Sequence, residues 1–249
     1  MPIQEIFPNP TVKQVIFQIR FPNLFYLESR IGEFQLKVMK EFPESALLFR
    51  RQVVFADVGP EGKLENIPQD ADGKKIWQFK SPKNFELSVL SNSLDITSMY
   101  HKTYNLDGSD KFRDIIDYVL KAFFEIMQVP IITRIGLRYI DECPIPAKNN
   151  EIFRNHYNSV FPLDRFKLDD SNQMLFQATV KRGEYYLRYV EKLSALDDKY
   201  NLILDFDGSA VSIIPENCLK VTDDLHEIIL KEFETTIKEP VYELMRSKK

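Results

Sequence analysis

Residues 132–141 read Ile-Thr-Arg-Ile-Gly-Leu-Arg-Tyr-Ile-Asp, an alternation of apolar and polar side chains that is typical of a β-strand. Successive side chains of a strand point to opposite faces of the sheet. One face is therefore apolar and carries Ile135, Leu137 and Tyr139. The opposite face combines two cations with a missing side chain, and it carries Arg134, Gly136 and Arg138.

A weaker copy of this strand lies near the N-terminus, where residues 12–21 read Val-Lys-Gln-Val-Ile-Phe-Gln-Ile-Arg-Phe. By the same alternation, its apolar face carries Val15, Phe17 and Ile19. Its second face carries Gln14, Ile16 and Gln18. Two equivalent opening strands in one chain predict an internal repeat.

The order of predicted elements supports that repeat, because each half begins with a strand and a helix and continues with an antiparallel meander and a long helix. Apolar stripes at three- and four-residue steps indicate the helices, and turn residues separate the strands. In the first half these elements are strand 12–21, helix 23–42, strands 46–58, 75–80, 85–90 and 94–103, and a helix opened by residues 107–110 and closed by Pro130. In the second half they are strand 131–142, helix 151–160, strands 173–181, 184–191 and 201–207, a turn at Gly208, and a final helix capped by Thr222 and restarted at Pro240.

This order predicts an α+β fold in which a curved antiparallel sheet carries its helices on one face. TATA-binding-protein-like saddles and helix-grip folds share the order, which is an analogy of fold alone. The two halves are predicted at residues 1–129 and 130–249. Two independent small domains are the alternative, but a strand directly after Pro130 leaves no flexible linker and favours one continuous body.

Composition excludes several classes of protein. With 249 residues, 44% hydrophobic content and 19 phenylalanines, the chain can bury a large core, and its apolar runs are too short to cross a membrane. Its first residues lack the basic start and cleavage site of a signal peptide, and only two cysteines occur. We therefore expect a cytoplasmic protein with two free thiols and no membrane association.

Segments along nearly the whole chain resemble a sporadically distributed prokaryotic family whose function is uncharacterised. The most specific part is Arg-Ile-Gly-Leu-Arg-Tyr at residues 134–139, and looser parts are residues 9–12, the strand 204–207 and the Leu-His pair at 225–226. Asp141 stands where the resemblance leads us to expect Asn. The resemblance implies a bacterial or archaeal protein, and it supplies no catalytic residues.

The arginine face is the candidate ligand site. Arg134 and Arg138 could lean together over Gly136 and hold a carboxylate or phosphate, because guanidinium groups bind such anions through two hydrogen bonds. Gln14 and Gln18 would add hydrogen-bonding groups from the equivalent strand. The alternatives are that each arginine pairs with an internal acid, for instance from the helix at residues 113–125, or that this face binds a partner protein.

No motif predicts a metal, a cofactor or a catalytic mechanism. The three histidines have no metal-ligand spacing, and glycine-rich nucleotide loops and nucleophile elbows are absent from the sequence. Asp205 could share a metal with Asp141 or Glu142, but solvated carboxylates are the commoner arrangement. His226 is expected on the exposed side of its helix. Whether the protein is an enzyme therefore stays open.

Three functions follow from these observations. The first is a binding or protein-interaction protein, with a homodimer formed through sheet edges or an aromatic sheet face. The second is an enzyme or regulator that binds an anionic small molecule over Arg134 and Arg138. The third is a nucleic-acid-binding saddle, which the net charge of −4 and the pI of about 5.6 disfavour.

Overall fold

A computed structural model describes residues 5–50, 74–196 and 199–247. The predicted loop at 59–73 and the end of the strand predicted at 46–58 lie outside these ranges. The strands are β1 (Val12–Arg20), β2 (Glu44–Arg50), β3 (Lys74–Ser81), β4 (Phe85–Leu90), β5 (Ser93–Ser98), β6 (Ile132–Pro144), β7 (Gln173–Arg182), β8 (Tyr185–Leu196) and β9 (Lys199–Ile213). The helices are α1 (Leu27–Val38), α2 (Phe112–Ile126), α3 (Asn150–His156), α4 (Cys218–Thr236) and α5 (Glu239–Arg246).

The nine strands of the described residues belong to one open antiparallel sheet, in the order β2-β3-β4-β5-β1-β6-β9-β8-β7. Each half contributes a contiguous block of this order, and in each block the last meander strand returns to pair with the opening strand. The opening strands β1 and β6 then pair with each other at the centre. The predicted α+β fold with a curved antiparallel sheet is confirmed.

The hydrophobic core lies between one face of the sheet and the helices. Phe17 and Leu137 on the central strands are fully buried, as are Phe123 of α2 and Leu225 of α4. The opposite face of the sheet carries no described helix, and most of its central side chains are polar, with Ile16 and Ile140 as apolar exceptions. We call this second surface the open face. It follows that the alternation in β1 and β6 separates core residues from open-face residues.

The start of α4 and the turn predicted at Gly208 both differ from the sequence prediction. The helix begins at Cys218, four residues before the predicted cap, and Thr222 lies inside it with its hydroxyl donating to the Cys218 carbonyl at 2.8 Å. Gly208 does not begin a turn but continues β9. An added Cβ there would lie 3.4 Å from Ile229 and 3.5 Å from Leu225, so the glycine lets α4 pack closely on the sheet.

The two ends of the described chain contact each other beside α4. The Asn9 amide donates to the Met245 carbonyl at 3.0 Å, and the Arg246 guanidinium bridges Glu5 and Glu239 at 2.6 Å each. Pro240 stands in the first turn of α5, where a proline is tolerated, as expected. The segment 5–11 is thereby held over the edge of the helix layer.

Candidate functional site

The five residues predicted to bind a ligand all lie on the open face, at the centre of the sheet. β1 and β6 pair so that Gln18 lies opposite Gly136, Ile16 opposite Arg138 and Gln14 opposite Ile140. The structure therefore brings Gln18, Arg134, Gly136 and Arg138 together. Gln14 lies further along β1 and forms no hydrogen bond with a described side chain.

The space over Gly136 is filled by the guanidinium of Arg134. An added Cβ would lie 2.5 Å from the Nη1 atom of Arg134. From this position Arg134 donates to the Asp207 carboxylate at 3.1 and 3.2 Å and to the Gln18 side-chain oxygen at 3.2 Å. The sequence predicted an open gap over Gly136 that could hold an anion. This prediction is corrected, because the guanidinium of Arg134 occupies that space.

Arg138 is held by an acid of the adjacent strand. Its Nε and Nη2 atoms each donate to the Asp205 carboxylate at 2.7 Å, and Arg188 of β8 donates to the same carboxylate at 2.8 Å. The hydrogen bonds to Asp205 raise the pKa of Arg138 above its usual value. The acids that pair with Arg134 and Arg138 are thus on β9, and not on the helix 113–125 named among the alternatives.

The same network extends to β5. Gln18 donates to Asp95, which also accepts from the Ser93 hydroxyl at 3.1 Å, and burial raises the pKa of Asp95. Arg20 donates to Gln18 at 2.7 Å and forms no salt bridge with a described carboxylate. Whether this face binds an anion stays a prediction.

Two of the carboxylates considered for a metal, Asp205 and Asp141, lie on opposite faces of the sheet, whereas Glu142 shares the open face with Asp205 and accepts from the Asn201 side chain at 2.6 Å. Asp205 lies on the open face opposite Ile140, whereas Asp141 points into the helix side and is buried. Within residues 5–50, 74–196 and 199–247 no three potential metal ligands come together. The shared site of Asp205 with Asp141 is therefore not formed.

A second candidate site, which sequence reasoning missed, is a cavity of about 470 Å³ on the helix side of the sheet. Its walls are the segment 5–12, the loop 102–106, the end of β6 and one face of α4. Most of the wall is apolar, and the apolar contacts include Ile6, Phe7, Leu106, Ile229, Leu230 and Phe233. Small-molecule sites typically combine such walls with a few convergent polar groups.

Asp141 is the most deeply buried acid in this wall, with 2% of its surface exposed. One carboxylate oxygen accepts from the Thr11 hydroxyl at 2.8 Å. Lys102 lines the cavity too, but its ammonium donates to the Val12 and Met99 carbonyls at 2.9 and 2.8 Å. Burial raises the pKa of Asp141 to about 7. Such a carboxyl can exchange a proton near neutral pH.

Tyr139 and His226 lie beside each other in the same wall. The rings of His226 and Tyr104 stack with centroids 4.2 Å apart, and Tyr139 lies 5.8 Å from His226. The Tyr139 hydroxyl and the His226 Nδ1 atom are buried, and neither has a hydrogen-bond partner among the described residues. Burial lowers the pKa of His226 to about 4, so the ring is neutral at pH 7. His226 was expected on the exposed side of its helix, and it is half-buried at the wall of the cavity.

The Tyr104 hydroxyl is fixed by hydrogen bonds that do not involve the polar atoms of Tyr139 or His226. Its hydroxyl donates to Asp223 at 2.6 Å, and Arg113 of α2 binds the same carboxylate through two hydrogen bonds of 2.7 and 2.8 Å. The ion pair holds α4 against α2 at the rim of the cavity. Tyr139 and His226 are therefore the polar groups that a ligand could satisfy.

Two signals in the sequence pointed to this cavity. Asp141 has the same parity as Ile135, Leu137 and Tyr139, so alternation alone places an acid on the buried face. His226 follows Leu225 of the α4 stripe and precedes Ile229 by three residues, which places it at the border of the buried face. The tertiary partners, segment 5–11 and loop 102–106, left no such signal.

Among the described helices, none combines the length and the apolar character needed to cross a lipid bilayer. The resemblance to an uncharacterised prokaryotic family stays an expectation. Comparisons with family models, with curated proteins and with solved structures find no match for this chain.

Proposed function

We propose that the protein is a binding protein whose ligand is a small molecule held in the cavity beneath α4. The observation that carries the proposal is the pair of buried, unpartnered polar atoms, the Tyr139 hydroxyl and His226 Nδ1, in a mostly apolar wall. Buried polar groups without partners cost about 1–3 kcal/mol each, so folded proteins rarely keep them. A ligand that supplies the missing hydrogen bonds would recover that free energy.

A second candidate ligand is an anion on the open face. It is favoured by the charges there, since Arg20, Arg134, Arg138 and Arg188 face the carboxylates Asp95, Asp205 and Asp207. Arg20 lacks a salt bridge among the described side chains and is exposed. An anion would bind near Arg20 at lower cost than over Arg134, whose hydrogen bonds to Asp207 it would have to break.

One experiment separates the two sites. A fragment library is screened by ligand-observed NMR against the protein, Leu230→Trp and Arg20→Ala. Leu230 lines the cavity, so the larger ring should fill it and abolish binding, while Arg20→Ala should leave binding unchanged. Fragments that are lost with Arg20→Ala and kept with Leu230→Trp would move the ligand to the open face. A screen without hits would contradict both sites.

We also propose that two copies associate through the sheet edges. Within the described ranges, the edge strands β2 and β7 expose apolar side chains, among them Phe49 at 60% and Leu175 at 61%. Exposed edge strands readily pair with another chain. Light scattering after size-exclusion chromatography should give the mass of a dimer, and Leu175→Lys should shift it to that of a monomer. Leu36→Lys on the exposed side of α1 is the control, and a monomer for the unaltered protein would contradict the proposal.

A further inference from the structure

The charged side chains around the cavity are mostly acidic. Four carboxylates line it, against one lysine, and they belong to Glu5, Asp141, Asp223 and Glu227. Two of them already have cationic partners, because Arg246 contacts Glu5 at 2.6 Å and Arg113 contacts Asp223 at 2.7 Å. Asp141 and Glu227 form no salt bridge with a described residue. When Asp141 is ionised, two carboxylates outside salt bridges therefore stand against the single ammonium of Lys102.

Asp141 has a single hydrogen-bond donor among the described residues. The Thr11 hydroxyl donates to one of its oxygens, and no described group donates to the other. The nearby ammonium of Lys102 is directed to two backbone carbonyls. Because burying an unpaired charge is costly, an ionised Asp141 would be stabilised by a cation that enters the cavity and donates to it.

The aromatic residues of the wall also suit a cation. The faces of tyrosine and phenylalanine rings carry negative charge density and attract ammonium groups within about 6 Å. Tyr104, Tyr139 and Phe233 all line the cavity. His226 is neutral at pH 7 and adds no repulsive charge. The apolar remainder of the wall would accommodate a hydrocarbon or aromatic body.

We infer that the ligand is an organic amine, in which a primary or methylated ammonium group binds Asp141 and an apolar body contacts Ile229, Leu230 and Phe233. This inference rests on the proposed binding function and specifies its ligand class. Glu227 at the rim would attract the cation during entry. The Tyr139 hydroxyl would accept a hydrogen bond from the ammonium group or from a bridging water.

Amine binding should release protons. The groups around Asp141 are Tyr139 and Cys143 on β6, Lys102 in the loop, His226 and Asp223 on α4, and Glu5 at the N-terminal side. Burial raises the pKa values of Tyr139 and Cys143, so both are neutral at pH 7. A bound ammonium favours the carboxylate of Asp141 and lowers its pKa from about 7. A proton therefore passes to the buffer.

The test compares three probes with the same body: phenylpropylamine, phenylpropanol and phenylpropionate. Isothermal titration calorimetry at pH 7, in two buffers of different ionisation enthalpy, gives affinity and proton release together. We expect the amine to bind about ten-fold or more tightly than the alcohol and the acid, a difference of about 1.4 kcal/mol. Only the amine should release protons.

Two variants locate the effect. Asp141→Asn should weaken the amine about ten-fold, abolish proton release and leave the affinity of the alcohol unchanged. Glu227→Gln leaves the interior intact and should lower the affinity for the amine two- to three-fold. It therefore tests the inference if Asp141→Asn fails to fold. Glu216→Gln, an exposed acid outside the cavity, should change nothing.

Other outcomes overturn the inference in distinguishable ways. If the alcohol or the acid binds as tightly as the amine and Leu230→Trp abolishes that binding, the cavity binds ligands but does not select an ammonium group. If none of the probes binds while the fragment screen gives cavity hits, the amine class is wrong and the proposed function stands. If that screen also gives no hits, both fail.

Discussion

Asp141 and Glu191 both point from the sheet into the helix layer, but they have different partners. Glu191 is fully buried and accepts from the Ser159 hydroxyl, the Val160 amide and the Tyr189 hydroxyl. Asp141 accepts from Thr11 alone and adjoins the cavity. Burial raises the pKa of both carboxyls. The satisfied acid thus connects elements, whereas the undersatisfied acid is available to a ligand.

Asp141→Asn should remove a pH-dependent loss of stability. The pKa of Asp141 rises from 3.8 to about 7 on folding, so the folded state binds more protons between these values and stability falls as pH rises through them. Asparagine keeps the acceptor for Thr11 and cannot ionise. The variant should match the unaltered protein at pH 4 and exceed it at pH 8 by on the order of 2–4 kcal/mol in urea unfolding. A difference independent of pH would contradict this.

Gly136→Ala should displace the Arg134 side chain. The new methyl group would meet the guanidinium at 2.5 Å, and the arginine would lose its hydrogen bonds to Asp207 and Gln18. We expect the free energy of unfolding to fall by roughly 1 kcal/mol. Gly32→Ala is the control, since that helical glycine has open space around its Cβ position and should gain roughly 0.5–1 kcal/mol. Equal effects at both sites would show that crowding over Gly136 is unimportant.

At the level of the elements, the segment after α3 is fastened to β8 through Glu191. Ser159 and Val160 lie three and four residues after the end of α3, and their contacts with the carboxylate bridge more than thirty positions of the chain. Thr236 at the end of α4 lies 3.5 Å from the Tyr189 hydroxyl that also donates to Glu191. One acid therefore joins α3, α4 and the sheet.

Glu191→Ala should loosen all three elements. It leaves the Ser159 hydroxyl and the Val160 amide without this acceptor, and it leaves the Tyr189 hydroxyl with only the Thr236 hydroxyl at 3.5 Å. The expected loss is roughly 3 kcal/mol of unfolding free energy. Glu191→Gln retains an acceptor oxygen and should lose less than half as much. Hydrogen exchange should show faster exchange around residues 150–163 for the alanine variant alone. Unchanged exchange there would contradict the fastening role.

Strands were predicted well because their alternation is a local property. Residues 132–141 separate Leu137 from Arg138 without any knowledge of the partner strand, and the sheet confirms that separation. The start of α4 was misplaced because the Thr-Asp-Asp sequence at 222–224 resembles a helix cap, while packing of Cys218 and Val221 extends the helix upstream. Local capping signals yield to burial in such cases.

The sites were predicted less completely, because they depend on pairing between distant strands. Alternation put Arg134 and Arg138 on one face, but it could not place Asp205 and Asp207 beside them, since this requires the register of β6 with β9. The cavity depends on contacts between segment 5–11, loop 102–106 and α4. No local pattern encodes such contacts.

For the whole molecule, the division at residues 129 and 130 stays a prediction, and unfolding can test whether the halves act together. The single tryptophan, Trp77, belongs to the first half, and both cysteines, Cys143 and Cys218, belong to the second. Both thiols are buried and react only when their surroundings open. Because β1 pairs with β6, fluorescence and thiol labelling should give the same midpoint in urea. Separate midpoints would indicate two independent domains.

The central pairing of β1 with β6 has an evolutionary consequence. A free-standing half would expose its opening strand at an edge, and two identical halves joined there would form a symmetric dimer. Fusion of two genes for such a half would place both halves in one chain. The two halves could then differ in sequence. On the prediction of an internal repeat, Arg134 and Arg138 on β6 and Gln14 and Gln18 on β1 are differences that accumulated after such a fusion.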